Sequence, residues 1–332
     1  MSILKAYLQI AERLSQTSDV KTKLSLDEIA SACDHYAYIG ARKFLKQETL
    51  NRAEQLPNKT GTTPESWIQQ WYGGRKWETD SGVFPDFVLA YQNNGAFGDG
   101  ALLELKDAKG ASIASFNSTL PIARKALSGL SLLVGGSVKR WDTPFAQQTG
   151  YPDERDCFYL IRTYCENSAK VRMSLVQGTF FETLSTQELL KAVWQELLRG
   201  KATETELEQV AEVLSRIDRT DISSTRRIIG ASIKPRLRLM SEIEAEGNPH
   251  TYDEIPPRTF NLIVKPNTDK YDEFQQMLDG WAQQEGLQLR WRNQGECELS
   301  STNTVLIVHV FPMKHKRNGI HWVCQTKLPE NS

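Results

Sequence analysis

The chain has 332 residues, 39% of them hydrophobic and 24% charged, which suits one large domain or two moderate ones around a real core. Forty Lys and Arg stand against 41 Asp and Glu. That balance excludes partners that rely on bulk positive charge, as histone-like binding does, but leaves open a local basic cleft. Five scattered cysteines (Cys33, Cys157, Cys165, Cys297, Cys324), odd in number and without a CxxC pair, argue against a disulfide framework or a zinc ribbon.

The opening Met-Ser-Ile-Leu-Lys lacks the apolar stretch of a signal peptide, and no apolar run approaches the ~20 residues that span a bilayer. A soluble protein of a reducing, cytoplasmic compartment is expected, with no membrane partner. Residues 2–56 read as helical: Leu4, Leu8, Ile10, Ala11 and Leu14 recur at helical spacing, and Ser25-Leu-Asp-Glu opens a second helix through Ala41. After the break at residues 58–64, a short helix over 66–72 carries Trp67 and Trp71 and ends at Gly73-Gly74.

Strand patterns follow at residues 84–91 (FPDFVLAY) and 101–106 (ALLELK), separated by a Gly/Asn-rich turn. Residues 112–116 extend or follow the second strand, and the spacing predicts a helix over 121–133. Residues 156–164 and 171–176 are strands joined at Asn167-Ser168, and residues 186–199 and 204–217 are amphipathic helices. A second region opens at Pro256-Pro257, with strands over 260–264, 304–311 and 320–325, a helix over 270–284 and a basic turn at 313–319. The expected class is α+β (α/β) with a mixed sheet, divided into residues 1–255 and a smaller α/β region, 256–332.

The segment from Asp86 to Lys106 carries the chemistry. Side chains alternate across a strand, so Glu104 and Lys106 share one face, opposite Leu103 and Leu105. A strand leaving Asp86 and an antiparallel return bring a second carboxylate beside Glu104. Two carboxylates so placed suit Mg²⁺, which prefers oxygen ligands in octahedral geometry. An ammonium on the same face orients or helps deprotonate a water on that cation, or stabilises charge building on a phosphate. The plain alternative is that an E-x-K triplet and a Pro-Asp turn both arise by chance. A Glu and a Lys inside a short aliphatic strand are costly, however, unless they serve a site.

These residues resemble the PD-(D/E)xK nuclease superfamily, and within it the type II restriction endonucleases. Pro85-Asp86 is similar to the first motif element and Glu104-Leu105-Lys106 to the second. The run from Ser115 to Pro121 (SFNSTLP) also resembles a segment of some type II restriction enzymes. The resemblance implies a restriction-endonuclease-like mixed β-sheet core flanked by helices. It implies Mg²⁺ ligated by Asp86, Glu104 and the Leu105 carbonyl, with Lys106 acting on the water. A further acidic ligand from an N-terminal helix is common in the superfamily, and Glu48 and Glu54 both qualify. The implied reaction is sequence-specific hydrolysis of double-stranded DNA to 5′-phosphate ends by a homodimer matched to a palindromic site.

Ser115, Asn117, Ser118 and Thr119 either contact phosphates or base edges, or cap a turn before the helix after Pro121. Arg226, Arg227, Lys234, Arg236 and Arg238 form one basic run, and Lys314, Lys316 and Arg317, with His315, form a basic tip. Both are candidate DNA contacts, and both are also ordinary for a solvated surface. His309, His315, His321 and Cys324 are read as having no shared ligand face. No P-loop, GxGxxG, GxSxG or HExxH pattern occurs, so no nucleotide cofactor is expected. Two further functions stay open: a structure-specific repair or junction nuclease of the same fold, and a non-catalytic DNA-binding module.

Overall fold

The computed structural model describes residues 3–15, 87–88, 101–110, 112–113, 115–117, 121–126, 131–134, 137–140, 154–165, 168–181, 186–215, 240–302 and 304–328. The amphipathic opening forms α1 (Ile3–Ser15), which buries Ile3, Leu4, Tyr7, Leu8, Ile10 and Leu14. Next come β1 (Phe87–Val88), β2 (Leu102–Lys109), β3 (Ser115–Asn117), β4 (Arg124–Ala126), β5 (Ser131–Val134) and β6 (Ser137–Arg140). β7 (Glu154–Cys165) and β8 (Ser168–Gln177) form the expected central hairpin. α2 (Thr186–Leu198) and α3 (Glu204–Ser215) pack together as a helical hairpin. The remainder is β9 (Met240–Glu242), β10 (Thr259–Val264), α4 (Tyr271–Gln284), β11 (Gln288–Asn293), β12 (Glu296–Ser300), β13 (Val305–His315) and β14 (Gly319–Lys327).

Nine strands form one mixed sheet in the order β1-β2-β7-β8-β10-β14-β13-β12-β11. β2 runs parallel to β7, and β8 parallel to β10; the other neighbours are antiparallel. A tenth strand, β4, pairs with β7 at Glu154–Asp156, directly before the stretch from Cys157 onward that pairs with β2. The long strand β7 thus carries β4 at its start and lies between β2 and β8 along the rest, with Gly178 at the end of β8 against Ile122. The sheet is continuous across residue 256, because β8 pairs with β10 in the register Ser174↔Asn261.

Each face of the sheet has its own core. One holds Leu103, Phe158, Leu160, Leu175, Phe260, Leu262 and Trp322 beneath α1 and α4. There Tyr7 stacks on Phe260 at 4.8 Å, and Phe274 stacks on Trp322 at 4.5 Å. The other face gathers Leu102, Tyr159, Ile161, Val176, Ile263 and Val323. Among the described residues, the side chains covering that face include Ile113, Phe180 and Ile255 and partly buried Ile122, Phe181, Ile243 and Tyr252.

Residues 121–133 correct the sequence expectation of a helix. Arg124–Ala126 are extended against β7, and β5 pairs antiparallel with β6 in the register Leu133↔Val138. The ladders offered by β7 and β6 outweigh weak helical spacing in a stretch that also contains Ser128-Gly129 in sequence. β13 also runs past Phe311, through Pro312 to His315. Pairing with β12 ends at His309, so the edge is open at Pro312, where a residue without an N–H is tolerated. The helices expected at 25–41 and 66–72 lie outside the described residues.

Candidate active site

Glu104 is set by register rather than by local sequence. It lies opposite Tyr159, which lies opposite Val176, then Ile263, then Val323. Those four side chains form a buried apolar row, and Glu104 continues it toward the β1 edge. The carboxylate is consequently only 6% exposed. Its Oε1 accepts a hydrogen bond from Lys106 Nζ at 2.8 Å, so the two side chains do share a face. Oε2 is buried and has no hydrogen-bond partner among the described residues.

A buried carboxylate oxygen without a donor is costly in a folded protein. Such an oxygen suits a hard cation, which takes carboxylate ligands. Among the described residues no group of three or more His, Cys, Asp or Glu gathers to hold a metal by themselves. Leu105, between the two polar residues, turns its side chain to the opposite face and packs against the core under α1. Next along β2, Asp107 pairs with Arg162, whose Nε donates to Oδ1 at 3.0 Å on that opposite face. Arg162 also lies 5.3 Å from the centroid of the Tyr164 ring. This second ion pair is structural in position, bracing β2 against β7.

β1 pairs antiparallel with β2 in the register Phe87↔Leu103 and Val88↔Leu102. Asp86 itself lies outside the described residues, as do Glu48, Glu54, Ser118, Thr119, Arg226, Arg227, Lys234, Arg236 and Arg238. Ser115 and Asn117 belong to β3, which pairs with β9 in the register Ser115↔Glu242 and Asn117↔Met240. The capped turn expected before a helix at Pro121 has no helix to serve, since residues 124–126 are strand.

The basic tip forms the turn between β13 and β14, with Lys314 and Lys316 exposed. Arg317 is engaged within the protein: its guanidinium forms ion pairs with Glu246 and, at 3.7 Å, Glu244. Between β2 and β13 lie five strand spacings. At ~4.8 Å each the tip is roughly 24 Å across the sheet from Glu104. The tip is anchored by Asn318, whose Nδ2 donates to the carbonyls of Thr179 and Phe180.

His315 and His321 correct a further expectation. They do share a face, with ring centroids 5.9 Å apart beside Phe180. His315 Nδ1, however, accepts the backbone N–H groups of Arg317 and Asn318 at 3.1 and 2.9 Å. In the neutral ring Nε2 then carries the proton, so His315 is a turn anchor rather than a metal ligand. Cys324 lies in the core on the other face.

Sequence reasoning assigned nothing to His250, which is buried on the same face as Glu104. Its Nδ1 meets Thr163 Oγ1 at 2.8 Å and its Nε2 meets Ser174 Oγ at 2.9 Å. Burial first, and Arg172 second, depress its pKa to about 3. Asn261 extends the chain, donating to Ser174 Oγ and accepting from Gln325. The only advance signal is a His in a short polar loop after Pro249, which is too weak to single it out. Ser174 is fully buried, so this Ser–His contact ties strands together and does not present a nucleophile.

No model of a known protein family matches the chain, and comparisons with curated proteins and with solved structures also find no match.

Proposed function

We propose that the protein is a Mg²⁺-dependent type II restriction endonuclease that hydrolyses phosphodiester bonds of double-stranded DNA to 5′-phosphate ends, acting as a homodimer. The observation that carries the reading is Glu104: a carboxylate 6% exposed, one oxygen held by Lys106 and the other without a partner among the described residues. The register Phe87↔Leu103 supports it. The residue before Phe87 in the chain is Asp86, and the residue after Leu103 is Glu104.

Asp86, Glu104 and the Leu105 carbonyl would hold the metal, which when bound neutralises phosphate charge and acidifies water. Glu104 supplies a fixed anionic ligand on a rigid, doubly flanked strand. Lys106, on the same face, orients the attacking water and stabilises the charge that grows on the phosphate as the P–O3′ bond breaks. The 3′ oxygen leaves as a hydroxyl after taking up a proton, and the phosphate stays on the 5′ end. Lys314 and Lys316 are proposed phosphate contacts at a distance comparable to a duplex diameter, with Ser115, Asn117 and the run from Arg226 to Arg238 nearer the scissile bond in sequence.

Incubation with unmethylated phage DNA and Mg²⁺ should give discrete fragments. Lys106→Ala should abolish cleavage by at least about a hundredfold while DNA binding persists. Folded protein that cuts neither methylated nor unmethylated duplex, or Lys106→Ala protein that cuts normally, would sink the proposal. Cleavage confined to branched substrates would redirect it to a junction nuclease.

A further inference from the structure

We propose that Lys106 is a resident cation, occupying the Glu104 carboxylate until a divalent metal displaces it, so that metal entry and release of the lysine are one event. The inference rests on the metal-nuclease reading and concerns how that site is regulated. Glu104 lies at the end of a buried apolar row, where an uncompensated carboxylate is strongly disfavoured. The compensating charge comes from its own strand: Lys106 Nζ sits 2.8 Å from Oε1, with side-chain exposures of 17% for the lysine and 7% for the glutamate.

Two residues apart on one strand face, the ammonium must lean along the sheet to reach Oε1. A divalent cation on Glu104 and an ammonium at hydrogen-bond distance from the same carboxylate repel one another strongly in a recessed site. Because buried Oε2 accepts no hydrogen bond among the described residues, the carboxylate keeps one oxygen uncommitted for a metal to engage before Lys106 departs. Once released, the same ammonium is the group that faces water and phosphate. The lysine is therefore withheld from chemistry until the metal arrives.

Calorimetric titration of the full-length chain with Mn²⁺, without DNA, tests this. Lys106→Met should bind Mn²⁺ about tenfold more tightly than the unaltered chain, whereas Lys106→Arg, which keeps a charge in reach of Glu104, should stay close to it. Independently of any variant, amine-reactive labelling of the unaltered chain should modify Lys106 more once Mn²⁺ is added, read by mass spectrometry. Mn²⁺ binding with equal affinity in Lys106→Met, or Lys106 labelling that ignores bound Mn²⁺, overturns the inference and leaves the nuclease reading standing. Failure of the unaltered chain and Lys106→Met alike to bind Mn²⁺ removes the metal reading itself.

Discussion

His250 and His321 are buried side chains that the folded protein keeps neutral. Desolvation leads in both cases, bringing His250 to about 3 and His321 to about 4, with Arg172 helping at the first and His315 and Lys265 at the second. His315 is lowered as well, again mainly by burial and by Lys265 and Arg317, against the opposing pull of Glu246. In the unfolded chain each returns to about 6.5 and takes up a proton below that pH. Their contribution to stability is therefore complete above pH ~6.5 and drains away as pH falls, at about 1.4 kcal/mol per pH unit for each of His250 and His321 until pH reaches the folded value. The urea midpoint should decline steadily from pH 6.5 to 4. His321 packs edge-on against Phe180, and neither ring nitrogen finds a hydrogen bond among the described residues. Replacing it with an apolar ring of similar shape leaves no polar group stranded. His321→Phe should keep or raise the midpoint at pH 7.5 and flatten the acid slope by about one proton, measured by urea titration across pH.

At the scale of elements, the end of β8 and the start of β4 meet at a glycine. A Cβ on Gly178 would lie 1.8 Å from the Ile122 carbonyl oxygen and 2.6 Å from its carbonyl carbon. Both are backbone atoms, held in place because Ile122 N–H donates to the Tyr159 hydroxyl. Gly178→Ala should therefore cost at least about 1–3 kcal/mol, seen as a lower midpoint of thermal unfolding. That contact also marks the limit of what the residue pattern discloses. The helix expected over 121–133 rested on local spacing, whereas β4 within it exists because β7 offers a free edge more than 25 residues away in the chain. The β11–β12 hairpin escaped notice because its outer strand is mostly exposed and its apolar alternation rests on two residues, Leu289 and Trp291. The common face of Glu104 and Lys106 was legible, since a strand's alternation is local. The row that buries Glu104 was not, because it is assembled from four other strands whose partners only the fold selects.

At the scale of the whole molecule, the described part of the chain is knit by one sheet across the division expected at residue 256. The core under α1 takes side chains from Ile3 through Leu328. A fragment of residues 1–255 loses β10, which flanks β8 on one side, and with it much of the surface on which α1 rests. Such a fragment should show no cooperative thermal transition, while the full chain should unfold in one; scanning calorimetry of both decides this. The docking of α1 carries one more consequence, in time rather than space. Tyr7 reaches the Phe260 carbonyl across 253 positions, and the Lys5 N–H reaches Glu285 across 280. A ribosome adds ~5–20 residues per second, so α1 waits roughly 13–50 seconds for β10, one of the strands it must cover. During that interval its apolar stripe lacks part of its native surface, which makes the nascent chain a natural client for chaperones.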